Sequence, residues 1–198
     1  MQVLILASGS QYRRELLSRL GLPFSTMTPG VNESAQPAEP PLNLAQRLAA
    51  EKAAAIVKHA ATQSSKTAAI VIASDQVGAF DGQRLEKPMS EARAYEQLHA
   101  MSGQQVMFYT AVHMTNSITG ESFAAVDETR VQLRKLSLNE IHRYVELDKP
   151  LDCAGSFKVE SLGITLFDLV ASQDPTALIG LPLIAVSRGL RQFGFALP

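Results

Sequence analysis

The sequence has no tryptophan, a single cysteine and almost no net charge, and each shortage removes a class of function. One thiol, Cys153, cannot form an internal disulfide or a cysteine-rich zinc site, and is best read as a small packed residue in a reducing compartment. A formal net charge of −1 over 198 residues argues against a protein that tracks a nucleic-acid backbone, because such binding neutralises many phosphates together. No stable nucleic-acid partner is expected, and any phosphate chemistry must use a local basic cluster. No apolar run approaches the roughly 20 residues needed to cross a bilayer, so no membrane partner is expected either. MQVLILASGS carries no basic leader, and the expected compartment is the cytoplasm.

What is present suits a packed core. With 46% hydrophobic and 19% charged residues, the default is one domain over residues 1–198. Gln2 to Ala7 reads as a buried strand, and Gln11 to Leu20 as a helix with Leu16, Leu17 and Leu20 on one face, stopped by Gly21. A short strand at Phe24 to Thr28 leads into a proline-rich loop, and Leu42 to Lys58 is an alanine-rich helix with Arg47 and Glu51 spaced to pair. ATQSSK reads as a linker. AAIVIA, Ala68 to Ala73, reads as a central strand buried on both faces and ending at Ser74 and Asp75.

Beyond it come a turn at Asp81-Gly82 and a helix from the Ser90 cap to Met101, closed by Gly103. A hairpin of Gln104 to Asn116 with Glu121 to Leu133 follows, then a capping box of Ser137 and Glu140 for a helix reaching Val145. A strand near Ile164 to Phe167 and a helix from Leu183 to Phe193 complete the chain. Strands alternate with helices, which implies an α/β fold with a mixed, twisted sheet flanked by helices.

Three groups of residues point to chemistry. Ser8, Ser10, Arg13 and Arg14 crowd a strand-to-helix junction, where backbone N–H groups, hydroxyls and guanidinium forks hold phosphate oxygens. The same residues also suit a plain serine cap with solvated arginines, and both readings stay open on this segment alone. It lacks the GxxxxGK[ST] pattern. Asp75 is placed at the carboxyl end of the most buried strand, suited to metal binding or general base work, or to capping a turn. Lys158 and Glu160 in CAGSFKVE alternate, so an extended chain would point both to one side, where a solvated charge pair is the simplest reading. Glu33 and Lys87, taken alone, are surface charges, and the four histidines fit no metal-ligand spacing.

Taken together and in order, LASGSQYRRELL, VNE, AEKA, ASDQV, EKP, AGSFKVESLGITLF and GLPL resemble the Maf family of nucleotide pyrophosphatases, with matches from Leu4 to Leu183. The resemblance implies a two-lobed mixed α/β fold with a central cleft, similar to inosine triphosphate pyrophosphatase folds, and a homodimer. It implies hydrolysis of a nucleoside triphosphate to its monophosphate and pyrophosphate with a divalent cation, Mg2+ or Mn2+. Carried over by motif, Ser8, Arg13, Arg14, Lys52 and Lys87 grip phosphates, Glu33 and Asp75 hold the metal, and Asp75 is the proton acceptor.

The pairing of an aromatic residue with Asp-Gln and AGSFKVE resembles the branch of the family acting on 7-methyl-GTP, whose specificity positions here are Tyr12, Gln76 and Glu160. That branch more often carries tryptophan where this chain has Tyr12. N7-methylguanine is cationic, so an aromatic face can stack on it and a carboxylate can offset its charge. The expected role is removal of modified nucleotides before incorporation into nucleic acids. The alternatives are a pyrimidine (dTTP/UTP) pyrophosphatase of the same family, which would carry Asp-Thr, and a non-catalytic nucleotide-binding regulator of cell division.

Overall fold

The computed structural model describes the backbone of residues 2–62 and 68–198 and the side chains of 2–59 and 68–198. Among the described residues, seven strands form one sheet: β1 (Val3–Leu6), β2 (Phe24–Thr26), β3 (Ala69–Phe80), β4 (Gln83–Leu85), β5 (Gln105–Asn116), β6 (Ser122–Leu133) and β7 (Phe167–Ala171). Their order is β2-β1-β3-β5-β6-β7, with β4 paired to β3. β1 runs parallel to β2 and β3, whereas β4 and β7 are antiparallel to their partners, so the sheet is mixed as expected. Among the described residues five α-helices accompany it: α1 (Gln11–Ser18), α2 (Pro41–Thr62), α3 (Glu91–Met101), α4 (Leu138–Asp148) and α5 (Leu183–Gln192). The chain divides into two compact units, one of Met1–Gln76, Thr110–Asp127 and Asp174–Pro198, the other of Val77–Tyr109 and Glu128–Gln173.

In the first unit, the two-residue period of a strand sorts the core into two faces. Leu4 and Leu6 of β1 join Ile70 and Ile72 of β3 in a cluster with Leu16 and Leu17 of α1 and Val186 and Leu190 of α5. The intervening Ile5, Ala7, Ala69, Val71 and Ala73 face the other way, against Ala53 and Ile56 of α2. Small side chains on both partners let α2 lie close to the strands, which suits the alanine-rich helix. On the opposite face α5 makes its close approach at Gly189. A Cβ there would meet Met114 Sδ at 2.5 Å and Phe123 Cδ1 at 2.7 Å.

The second unit is built around a hairpin and two packed helices. Asp81 and Gly82 both adopt positive φ, 49° and 72°, which gives the β3–β4 turn the twist its strands require. Ser90 caps α3, and Ser137 and Glu140 form the expected reciprocal capping box on α4. Phe157 stacks edge-on against both Phe108 and Phe167, at ring separations of 5.3 and 4.8 Å.

Four expectations change. β3 does not stop at Ala73 but continues through Ser74, Asp75 and Gln76 to Phe80, so Asp75 lies inside a strand instead of beyond its end. The strand near Ile164 is a 3-10 segment, Leu162–Leu166, and β7 follows it. Residues 61 and 62 of the supposed linker belong to α2, and 63–66 lie outside the described residues. Lys158 and Glu160 do not sit on an extended strand: Val159 and Glu160 form a turn. The Lys158 ammonium donates to the carbonyls of Asp148 and Lys149, closing the C-terminal end of α4 where Lys149 turns left-handed.

Candidate functional site

The alternation that sorts the core also sorts three consecutive polar residues of β3. Ala69, Val71 and Ala73 face α2, and Asp75 continues that row. There Asp75 Oδ1 lies 2.6 Å from Lys52 Nζ of α2, and the same ammonium lies 2.6 Å from Glu33 Oε1 in the loop after β2. Lys52 and Asp75 are both buried, while Glu33 is exposed, so the carboxylates approach one cation from the inside and from the solvent side. Removal from water pushes the Asp75 carboxyl above its ordinary range. The Lys52 and Arg13 charges oppose that rise, and the Glu33 charge adds to it.

Ser74 and Gln76 project the other way, toward the segment before α5. The buried Ser74 hydroxyl donates to the Gly180 carbonyl at 2.9 Å. Gln76 Nε2 lies 2.9 and 3.0 Å from the carbonyls of Leu178 and Ala177 and 3.1 Å from Thr110 Oγ1, and the Thr110 hydroxyl donates to Ala177. The amide nitrogen is thereby saturated, so the Gln76 side chain has only its oxygen left to offer a ligand.

At the junction of β1 and α1, Ser8 is buried and its Oγ accepts from Ser10 N–H at 3.1 Å. Ser10 caps α1, its side chain accepting from Arg13 N–H, so the capping reading is correct. The solvated reading is not correct for Arg13: its Nε donates to the Gly180 carbonyl at 2.9 Å. Burial pulls its guanidinium below the ordinary range, against the countering charges of Asp75 and Glu33. Arg14 is exposed, and Tyr12 is half-buried beside it.

The first unit thus gathers Arg13, Glu33, Lys52 and Asp75 into one electrostatic cluster, with Ser8 at the end of β1. In the second unit, Lys87 is exposed in the extended stretch before Pro88, and Glu160 is exposed in its turn. Ser74, Thr110 and Gly180 were given no role by the sequence. For Ser74 the signal was available in the even-numbered register that Ile70 and Ile72 set for β3.

The donor set suits a divalent cation of the magnesium type. Such ions take one or two carboxylates and complete their shell with water and substrate phosphate, so they do not require an all-protein cage. Two carboxylates converging on a single ammonium show that this point already attracts positive charge. Among the described residues, no group of three or more His, Cys, Asp or Glu side chains forms a closed cage.

The chain is 54% identical to a 7-methyl-GTP pyrophosphatase of Xanthomonas oryzae pv. oryzae (strain MAFF 311018) over 198 residues, all of both chains. It is 51% identical to one from Aromatoleum aromaticum over 196 residues, 98% of this chain and 97% of that one. It is 47% identical to one from Burkholderia pseudomallei over 194 residues, 98% and 89% of the respective chains. A solved structure of the Staphylococcus aureus Ham1 protein aligns with 96% of this chain and 100% of its own, at 13% identity and a TM-score of 0.46. A family model described as Maf-like protein matches residues 3–193, and the chain belongs to that family.

Proposed function

We propose that this protein hydrolyses 7-methyl-GTP to 7-methyl-GMP and pyrophosphate, removing a modified nucleotide before it enters nucleic acid. The carrying observation is the state of Asp75: a buried carboxyl pushed upward by desolvation, yet kept ionisable by Lys52 and Arg13. A general base needs that compromise, because a pKa nearer the working pH combines an available acceptor with a useful driving force. Relatives between 47% and 54% identical that bear the name 7-methyl-GTP pyrophosphatase support the same substrate.

In the proposed reaction the oxygen of a water attacks the α-phosphorus and the α–β bridging P–O bond breaks. The water's proton passes to Asp75, and pyrophosphate departs with the electron pair. Arg13, Arg14, Lys52 and Lys87 supply positive charge to the phosphate oxygens, and Ser8 supplies a hydrogen-bonding group. Glu33 and Asp75 would hold Mg2+ or Mn2+. Bound there, such a cation would withdraw charge from the phosphate oxygens and favour departure of pyrophosphate. Tyr12 and Glu160 would favour a cationic purine by stacking and by charge, and Gln76 would meet its edge. The working form would be a homodimer in the cytoplasm.

Pyrophosphate release measured across 7-methyl-GTP, GTP, dTTP and UTP, with Mg2+ or Mn2+, tests the reading. A clear preference for the methylated purine is expected. Preference for dTTP or UTP would make the protein a pyrimidine enzyme, and nucleotide binding without product would make it a regulator.

A further inference from the structure

One backbone oxygen in the first unit serves two donors from distant parts of the sequence. The Gly180 carbonyl accepts from Ser74 Oγ and from Arg13 Nε, each at 2.9 Å. A carbonyl oxygen has two lone pairs, so both donors can be satisfied together. Gly180 has φ +124°, a conformation that L side chains rarely adopt, and an added Cβ would come within 3.4 Å of Arg13 Nε. Ser74 is fully buried, and this is the only hydrogen bond of its hydroxyl among the described residues.

The consequence falls on Arg13. With Nε committed to Gly180, the plane of the guanidinium is fixed. Its Nη1 and Nη2 make no hydrogen bond among the described residues, although the group lies in the field of Asp75 and Glu33. A partly desolvated guanidinium with one edge anchored and its terminal nitrogens uncommitted is arranged to receive an oxyanion through paired N–H groups. An arginine anchored in advance loses less side-chain entropy when the anion arrives.

We infer that Ser74 and Gly180 are positioning residues: the Ser74 hydroxyl orients the Gly180 carbonyl, and that carbonyl aims Arg13 at the phosphates of the substrate. The inference rests on the proposed contact between Arg13 and phosphate and adds the device that sets it up. Ser74 neighbours the proton acceptor in sequence, but its side chain leaves the opposite face of β3. Its hydroxyl therefore acts through Gly180 on Arg13 and makes no hydrogen bond to Asp75 among the described residues.

The test is a double-mutant cycle of Ser74→Ala and Arg13→Ala, read in two ways. The first is the dissociation constant of inorganic pyrophosphate by calorimetry, and the second is kcat/KM for pyrophosphate release from 7-methyl-GTP. Ser74→Ala is expected to weaken pyrophosphate binding about threefold to tenfold, the scale of one hydrogen bond between neutral groups. In the Arg13→Ala background the same change should alter it less than twofold, since nothing remains to be aimed. The acid limb of the kcat/KM profile should stay where it is in Ser74→Ala.

Ser74→Cys keeps a side chain at the site with a weaker donor and serves if the alanine variant does not fold; it should show the same coupling. Equal losses from the Ser74 change in both backgrounds, or no loss in either, would overturn the positioning role. Full pyrophosphate affinity in Arg13→Ala would instead overturn the phosphate contact on which the inference rests.

Discussion

Lys52 Nζ stands 2.6 Å from Asp75 Oδ1 at a point where both side chains are more than nine-tenths buried. Two charges that far from water are tolerable only because each neutralises the other and Glu33 closes the arrangement from outside. Removing one partner should therefore cost more than removing both. Lys52→Met is expected to destabilise the fold by about 3–5 kcal/mol, and the double variant Lys52→Met/Asp75→Asn by markedly less. Urea denaturation of the two variants beside the unaltered protein measures this. Equal losses in the single and double variants would show that the pair is not energetically coupled.

Asp75→Asn keeps the shape of the side chain and removes its ability to take a proton. Pyrophosphate release should fall by about 10²–10⁴-fold, the usual contribution of a general base. Equilibrium binding of 7-methyl-GTP should persist, because the arginine and lysine donors are intact. Unchanged turnover would take Asp75 out of the reaction.

The same carboxyl, as the proposed base, is expected to set the acid limb of the pH profile. Asp75 accepts a proton only when ionised, so activity is present above its pKa and is lost as pH falls through it. Burial raises that pKa, which places the limb above the range of an ordinary aspartate. Because the Glu33 charge adds to the rise, Glu33→Gln should move the limb to lower pH; because Lys52 opposes it, Lys52→Met should move it to higher pH. A kcat/KM profile that shifts the same way in both variants would exclude this electrostatic account.

The core and the site differ in how far local sequence announces them. The continuous apolar runs VLIL and AIVIA, the Ser90 cap and the Ser137/Glu140 box are local signals, and each marks its element in place. The end of β3 is not local. Ser74, Asp75 and Gln76 look like the close of a strand because they are polar. They remain in it because each finds a partner elsewhere: Asp75 with Lys52, 23 residues away, Ser74 with Gly180, 106 away, and Gln76 with Thr110 and the 177–178 carbonyls. The gathering of Arg13, Glu33, Lys52 and Asp75 was legible only through the order of motifs along the chain. No spacing rule brings a loop, two helices and a strand to one point.

Gly189 is an interior helical residue with a cost in helix propensity of about 1 kcal/mol relative to alanine. Propensity alone would make Gly189→Ala stabilising. The Cβ contacts of 2.5 Å with Met114 Sδ and 2.7 Å with Phe123 Cδ1 reverse the sign, since the sheet beneath α5 is already filled. The expected loss is about 1–3 kcal/mol, read from the denaturation midpoint. A stabilised variant would mean that the Met114 thioether moves aside at little cost.

Selectivity for the methylated base should divide between two forces of different size. Tyr12 offers an aromatic face, and stacking on a cationic ring is worth about 0.5–2 kcal/mol. Tyr12→Ala should therefore reduce the preference for 7-methyl-GTP over GTP by about 2- to 30-fold, while Tyr12→Trp should preserve or raise it. Glu160 is exposed, and an exposed charge pair is worth at most about 1 kcal/mol, so Glu160→Gln should reduce the preference by no more than about fivefold. The charge contribution is screened by salt and the stacking contribution is not, so raising ionic strength should erase the effect of the Glu160 change while leaving that of Tyr12. Ratios of kcat/KM for the two nucleotides at low and high salt separate the forces. Salt-independent loss in Glu160→Gln would show that this carboxylate acts through a direct hydrogen bond to the base and not through charge.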